Sequence, residues 1–223
     1  MQLADIDWES WRAKDPATLV FVFRGDEILL INKKRGLGKG KVNGPGGKVD
    51  PGETPEQSAV RECREELCIE VGNLEYCGEH RFQFTDGYSI HVWVYRTRDF
   101  EGEPTETIEA EPLWTPIDEI PYDLMWEDDR YWLPKLIRGE KFQTRWIFDG
   151  DSMLDYDIEP DGIGFDPVDN RLLRGILDTA PFKWEGTNPS LSRQCGARLS
   201  VFFTRIQPFN EQELAAVDHS IST

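Results

Sequence analysis

Long apolar runs are missing from this sequence of 223 residues. No stretch approaches the roughly 20 consecutive apolar residues that a membrane-spanning helix needs. Residues 1–14 are polar and acidic, and they lack the apolar core of a secretory signal peptide. The sequence therefore predicts a cytoplasmic protein that does not bind membranes.

Sulfur and imidazole groups are also scarce, with four cysteines and three histidines. The cysteines form no C-x-x-C pair and the histidines do not cluster, so the pattern gives no support for a zinc site. Basic residues are outnumbered, 25 against 42 acidic ones, which gives a net charge of −17. This charge argues against stable nucleic-acid binding, and a phosphate-rich ligand would need a bridging cation.

Apolar and aromatic residues, at 39% and 12%, suffice for one substantial core and a small second module. Alternating runs predict strands at 18–23 and 27–32, a hairpin of 76–85 with 88–97, a short strand beginning at Trp114, and a hairpin of 142–148 with 153–158. A helix is predicted at 131–138, and the acidic segment 99–112 reads as a loop. Trp8 and Trp11 are expected to pack on the domain.

A second helix is predicted to begin after Thr54. Pro55 suits the first helical position, and Gln57 stands at the capping-box spacing from Thr54. At 100° per residue the three glutamates that follow fall within about a 100° sector of this helix: Glu62, Glu65 and Glu66.

Crowded carboxylates on one helix face repel one another unless a cation lies between them. Oxygen-only ligands suit a hard ion such as Mg²⁺, Mn²⁺ or Ca²⁺. A solvated acidic face is the alternative interpretation, and on the three glutamates alone it is the better one.

The loop before the helix favours the metal-binding interpretation over the solvated acidic face. Glycine, five residues, glutamate, seven residues and then R-E-x-x-E-E resembles the Nudix box of nucleoside-diphosphate-linked hydrolases. The matching residues are Gly47, Glu53, Arg61, Glu62, Glu65 and Glu66. Two positions depart from the box: Cys63 replaces an aliphatic residue, and Cys68 replaces the glycine that ends the helix, so the local turn is open to change.

Further segments resemble the MutT-homologue branch of the family, which hydrolyses oxidised purine nucleoside triphosphates. They are 33–36 (KKRG), 43–49 (NGPGGKV), 82–84 (FQF), 125–132 (MWEDDRYW) and 154–156 (LDY). The resemblance implies a Nudix α/β/α sandwich with a mixed β-sheet. We divide the chain into an arm at 1–15, the Nudix domain at 16–158, and a linker and C-terminal extension of unknown fold at 159–223.

The resemblance also implies a catalytic set and a metal. Glu62, Glu65, Glu66, the Gly46 carbonyl and Glu109 would hold Mg²⁺, with Mn²⁺ as a second possibility. Arg61 would pair with Glu53 and stiffen the loop. Lys33 and Lys48 are candidates for phosphate contacts. Glu109 lies among several acids, so a purely solvated role stays open for it.

Base recognition is a second hypothesis. Trp126, with Phe82 or Phe84, would supply a flat apolar surface, and three polar side chains would read the edge of the base: Asn43, Asp128 and Asp129. Two neighbouring carboxyls in an apolar pocket should not both ionise freely, so at least one pKa should be raised. Alternatively, Trp126 and Trp132 belong to the core and the two acids cap the helix that follows.

The resemblance to the MutT-homologue branch further implies that Thr18, Pro45 and Gly47 bind the substrate. The departures Leu37, Val42 and Pro45 replace aromatic residues of the mammalian members and leave the shape of the base pocket open. The expected partner is a small nucleotide, hydrolysed to a monophosphate and pyrophosphate. Alternatives are other nucleoside-diphosphate-linked substrates (dinucleoside polyphosphates, ADP-ribose, capped RNA) or a nucleotide-sensing module without catalysis.

Overall fold

A computed structural model describes residues 1–160 of the chain. For the C-terminal extension the sequence also predicts a helix near 170–178, a strand at 198–206 and a helix from Asn210, and all three lie outside the described residues. The strands are β1 (Asp15–Arg24), β2 (Glu27–Lys33), β3 (Val42–Asn43), β4 (Glu70–Gly72), β5 (Glu75–Phe84), β6 (Ser89–Thr97), β7 (Asp99–Glu101), β8 (Ala110–Pro116), β9 (Phe142–Asp149) and β10 (Ser152–Pro160). The helices are α1 (Pro55–Leu67) and α2 (Asp129–Arg138), with 3₁₀ turns at Leu3–Asp5 and Tyr122–Leu124.

Eight of these strands form one mixed sheet. Seven lie in the order β10-β9-β5-β6-β1-β2-β3, and β8 pairs with β2. β1 runs parallel to β6 and β5 runs parallel to β9, while the other pairs in the sheet are antiparallel. β4 and β7 form a separate two-stranded sheet. The predicted mixed sheet is confirmed.

Two apolar clusters cover opposite faces of the sheet, because successive side chains of a strand point to opposite sides. Phe21 and Phe23 of β1 pack in the cluster that includes Trp132 and Leu133 of α2. Their neighbours Val20 and Val22 pack in the cluster with Ala59, Cys63 and Leu67 of α1. The predicted α/β/α sandwich is therefore confirmed in the described part of the chain.

The start of α1 forms as its sequence predicts. Thr54 Oγ1 accepts from the backbone N–H of Gln57 (3.2 Å), and Gln57 Oε1 accepts from that of Thr54 (2.9 Å), which completes the capping box. The helix ends at Cys68, whose φ of 58° lies in the left-handed region that glycine favours. Cys68 thus adopts the same left-handed conformation that is expected of a glycine at the end of this helix.

Several boundaries differ from the sequence predictions. The strand predicted to begin at Trp114 begins at Ala110, because residues 110–116 pair along β2 in unbroken register. The segment 99–112 also contains β7, so it is not entirely a loop. The helix predicted at 131–138 begins two residues earlier, at Asp129.

The N-terminal residues cross the sheet before β1 begins. The backbone N–H of Leu3 donates to Asp155 Oδ2 (2.9 Å), and the indole N–H of Trp11 donates to Gln83 Oε1 (3.0 Å). The rings of Trp8 and Trp11 lie 5.5 Å apart, and both side chains are half-buried, as expected. Neither helix in the described residues is long and apolar enough to cross a membrane.

Candidate active site

A cleft of about 400 Å³ brings together residues of β1, β2, α1, β5, β6, β9 and the segment before α2. The predicted site residues that line it are Thr18, Lys33, Asn43, Gly46, Gly47, Lys48, Glu62, Glu66, Phe82, Phe84, Glu109, Trp126, Asp128 and Asp129. Four other predicted site residues do not line it: Pro45, Glu53, Arg61 and Glu65. Polar groups lie at one end, and aromatic and buried acidic groups at the other.

Other residues of the lining were not predicted as site residues: Ala17, Leu19, Arg35, Gly36, Leu37, Tyr88, Ile90, Val92, Trp132 and Phe148. Arg35 and Gly36 belong to a segment already singled out in the sequence. Ile90 and Val92 alternate along β6, which identifies their face of the strand. The same alternation is expected for a strand that faces an open cleft and for one that faces a closed core. The sequence therefore did not identify Ile90 and Val92 as cleft residues.

The segment before α1 is held against β1 by backbone hydrogen bonds. Thr18 N–H donates to Gly47 O (2.8 Å), and Val20 N–H donates to Pro45 O (2.9 Å). Gly46, at φ 150°, approaches β1 so closely that a Cβ there would overlap the Thr18 carbonyl. A Cβ on Gly47 would overlap the Glu62 carboxylate. Both glycines therefore allow this segment to lie tightly between β1 and α1.

Arg61 organises one half of the acidic helix face. Its guanidinium donates to Glu53 Oε1 and Oε2 (2.8 and 2.9 Å), Glu62 Oε1 (2.7 Å) and Glu65 Oε2 (3.1 Å). It also donates to the Lys48 carbonyl (2.9 Å). These contacts join α1 to the loop before it, in line with the positioning role expected for the Arg61–Glu53 pair.

Lys33 organises the other half. Its ammonium lies 2.8 Å from Gly46 O and 3.0 Å from Glu66 Oε1. Glu66 Oε2 accepts from the backbone N–H of Gly46 (2.9 Å). A carbonyl and a carboxylate therefore converge on one cationic atom at the polar end of the cleft.

Burial disfavours the charged forms of two of these glutamates. It raises the pKa of Glu62 to about 7, although the Arg61 guanidinium beside it acts in the opposite direction. It also raises the pKa of Glu66, against the effects of the Lys33 ammonium and the Gly46 N–H, while Glu109 adds to the rise. The local environment of both carboxylates thus favours additional positive charge.

Glu109 lies on the loop before β8 and lines the same cleft. Its carboxylate is 43% exposed and accepts from Arg35 Nη1 (3.0 Å), whose side chain is also exposed. Its backbone carbonyl accepts from Lys34 N–H (2.8 Å), which fixes the loop against the end of β2. Glu109 is thus an accessible carboxylate close enough to Glu66 to affect the pKa of Glu66.

The donor chemistry at this end fits a hard divalent cation. Carboxylate and carbonyl oxygens are the ligands that such ions prefer, and here they converge in pairs on the positively charged groups of Lys33 and Arg61. In residues 1–160 no three acidic, histidine or cysteine side chains are close enough to form a ready ligand cluster. Ion binding would therefore replace ion pairs that already neutralise these oxygens.

The opposite end of the cleft contains two buried carboxyls. Asp128 and Asp129 are 2% and 3% exposed. Asp128 Oδ2 accepts from the indole N–H of Trp132 (2.9 Å), and Asp129 Oδ2 accepts from the backbone N–H of Trp126 (3.0 Å). Burial raises the pKa of both residues, and for Asp129 the adjacent Asp128 adds to the rise. The predicted rise in pKa is in line with this geometry.

Two buried oxygens in the lining have no hydrogen-bond partner among the described residues: Asp128 Oδ1 and Thr18 Oγ1. Asp128 precedes α2 but makes no side-chain capping bond to it, contrary to the capping alternative. Trp132 is a core residue at 1% exposure, as that alternative had it, whereas Trp126 is half-buried and lines the cleft. Unpaired polar atoms are costly when buried, so this end of the cleft suits a ligand with polar edges.

Aromatic rings support this end of the cleft. Trp126 meets Phe148 edge-on at 5.8 Å, and Phe82 lies 5.9 Å from Phe148. Phe84 packs between Tyr88 and Phe148. A flat apolar ligand could contact these rings while its edge faces the buried carboxyls.

Comparison with known proteins identifies relatives of this chain. The NUDIX domain family matches residues 13–136. A protein of Danio rerio named oxidized purine nucleoside triphosphate hydrolase is 41% identical over 140 residues, which cover 61% of this chain and 88% of that protein. The protein of the same name from Mus musculus is 40% identical over 143 residues, 63% of this chain and 92% of that protein.

A crystal structure of the mutator MutT protein from Bacillus halodurans has a similar fold, with a TM-score of 0.59 and 24% sequence identity. The match covers 65% of this chain and 97% of that protein. At this identity the likeness concerns the fold alone.

Proposed function

Because this chain belongs to the NUDIX domain family and is therefore a Nudix hydrolase, we propose that it hydrolyses oxidised purine nucleoside triphosphates such as 8-oxo-dGTP. The products would be the monophosphate and pyrophosphate. The supporting observation is the buried carboxyl pair Asp128 and Asp129 at the aromatic end of a cleft that has an acidic helix face at its other end. The names of the relatives from Danio rerio and Mus musculus point to the same substrate class.

The aromatic end would bind the base. Trp126 and Phe82 offer apolar surface to a purine ring, and Asn43, Asp128 and Asp129 offer polar atoms to its edge. A carboxyl with a raised pKa can donate a hydrogen bond as well as accept one. A pair of such carboxyls, together with Thr18 Oγ1, which has no partner within residues 1–160, would match the altered donors and acceptors of an oxidised purine.

The polar end would bind the phosphates. Nudix hydrolases generally use divalent metal ions, and we propose Mg²⁺ here, held by Glu62, Glu65, Glu66, the Gly46 carbonyl and Glu109. When bound, such an ion neutralises charge on the phosphoryl oxygens and lowers the pKa of a water molecule.

Chain residues would complete the reaction. Lys33 and Lys48 line the cleft and would contact phosphate oxygens. Glu109 carries an accessible carboxylate, so one of its Oε atoms could accept the proton of the attacking water. Arg61 would keep Glu53, Glu62 and the loop before α1 in position without touching the substrate.

A hydrolysis assay in which the nucleotide products are separated and quantified by chromatography tests this proposal. The full chain is supplied with Mg²⁺ or Mn²⁺ and with a panel that includes 8-oxo-dGTP, dGTP, dTTP, a dinucleoside polyphosphate, ADP-ribose and capped RNA. We expect kcat/KM for 8-oxo-dGTP to exceed that for dGTP by about tenfold or more, with no turnover in EDTA. Faster cleavage of a compound from the other classes would overturn the substrate assignment, and no cleavage of any compound would favour a sensing module.

A further inference from the structure

The indole of Trp126 is held at two points by the loop between β2 and β3. The ammonium of Lys41 lies 4.8 Å from the centroid of the Trp126 ring. Gly38, at φ +79°, approaches so closely that a Cβ there would lie 3.0 Å from the indole nitrogen. The same loop is closed by hydrogen bonds from Lys41 N–H to Gly38 O (2.9 Å) and from Lys33 N–H to Lys41 O (3.0 Å).

Lys41 approaches the indole from outside the cleft. Trp126 lines the cleft, whereas Lys41 and Gly38 do not. The Lys41 side chain is 24% exposed, and its ammonium forms an ion pair with Asp151 Oδ2 (3.1 Å) in the turn between β9 and β10. The indole therefore lines the cleft and also contacts a tethered cation that does not line it.

A cation above an aromatic face is attracted by the negative charge of that face. This attraction restricts the tilt of the indole, and the ion pair with Asp151 restricts the cation in turn. The positive charge of Lys41 also favours the ionised form of Asp129, whose carboxylate accepts from the Trp126 backbone. Lys41 thus acts on two groups at the aromatic end of the cleft without lining it.

We propose that Lys41 is a positioning residue for base binding, which sets the orientation of the Trp126 indole on which the base stacks. The inference rests on the proposed function only in that the stacked ligand is a purine. A base that stacks on the cleft side of Trp126 would meet a ring whose orientation is already set, so less ordering would be needed on binding.

The test measures binding of nucleoside monophosphates rather than turnover. Affinity for 8-oxo-dGMP and for dGMP is measured by calorimetry without divalent ions, for the full chain and for Lys41→Met, Lys41→Arg and Lys39→Met. Lys39 lies in the same loop and is exposed, and it lines no part of the cleft, so it is the matched control. We expect Lys41→Met to weaken 8-oxo-dGMP binding about five- to tenfold, with Lys39→Met unchanged and Lys41→Arg close to wild type.

Three results would overturn the proposal: equal affinities for Lys41→Met and Lys39→Met, no rescue by Lys41→Arg, or an equal loss of affinity for base-free deoxyribose 5-phosphate. Thermal unfolding of each variant separates a folding defect from a local effect. If the wild-type chain binds 8-oxo-dGMP no more tightly than dGMP, the proposed function is wrong. The affinities of the wild type and the variants for dGMP would then still decide the role of Lys41.

Discussion

The indole N–H of Trp132 donates to Oδ2 of Asp128 over 2.9 Å, and Asp128 Oδ1 is left buried without a partner among the described residues. A core tryptophan thus holds one carboxyl oxygen of a side chain that lines the cleft and leaves the other oxygen free to meet a ligand. This places the recognition group on a rigid part of the molecule. Trp132 is itself packed against His80 and Phe21, with ring centroids 4.4 and 5.6 Å away.

Replacement of Asp128 by Asn should weaken base recognition selectively. The amide oxygen can still accept from Trp132, but residue 128 can no longer change its protonation state. We expect KM for 8-oxo-dGTP to rise about tenfold and to lose its pH dependence between pH 6 and 8. Steady-state kinetics with dTTP as the reference substrate would measure this, and an equal rise for both substrates would contradict a role in reading the base.

Replacement of Glu66 by Gln should abolish most activity. The amide keeps the shape but loses the charge that would hold a divalent ion, so we expect kcat to fall about 100-fold or more. Calorimetric titration with Mg²⁺ should show weaker binding. Glu103→Gln is the matched control, because Glu103 is an exposed acid of the segment 99–112 and does not line the cleft. Equal effects of the two substitutions would rule out a specific role for Glu66.

Replacement of Arg61 by Gln should destabilise the loop before α1. It removes the donor shared by Glu53, Glu62 and Glu65, and leaves partly buried carboxylates facing one another. We expect the free energy of unfolding to fall by about 1–3 kcal/mol. Arg64→Gln on the same helix breaks an exposed pair with Glu70 and should cost under about 1 kcal/mol. Urea denaturation would compare them, and similar losses would show that Arg61 has no special structural role.

His80 should make the protein acid-sensitive. Complete burial lowers its pKa from 6.5 to about 3. Between these values the unfolded chain binds the proton and the folded chain does not, so His80 destabilises the fold as the pH falls through this window. His80→Leu should gain stability relative to wild type by up to about 1.4 kcal/mol per pH unit below pH 6.5. Urea denaturation at pH 7 and pH 5 measures the difference, and a constant difference would contradict a neutral buried imidazole.

The sequence predicted the local features that depend on nearby residues. The capping box, Pro55 and the periodic glutamates predicted α1, and hairpins around Asp86 and Gly150 were predicted from turn residues. The start of β8 at Ala110 was missed because it depends on pairing with β2, which no local pattern records. The helix start at Asp129 was missed for a similar reason: the acids there are buried rather than capping.

For the site, sequence motifs indicated which side chains to examine but not how they are paired. The ion pairs of Lys33 with Glu66 and of Lys41 with Asp151 join residues more than 30 positions apart. Val92 and Phe148 look like ordinary core residues in sequence, and only the three-dimensional arrangement shows that they line an open cleft. Long-range contacts of this kind leave no periodic trace.

The ammonium of Lys33, between Gly46 O and Glu66, has a consequence for how the protein matures. A chain with a built-in counterion can fold before any metal arrives, since Glu66, the most buried glutamate of residues 1–160, already forms an ion pair. Folding and metal loading then become separate events, unlike in domains that are unfolded without their ion. Chelators should therefore abolish the activity of the enzyme while leaving its fold intact.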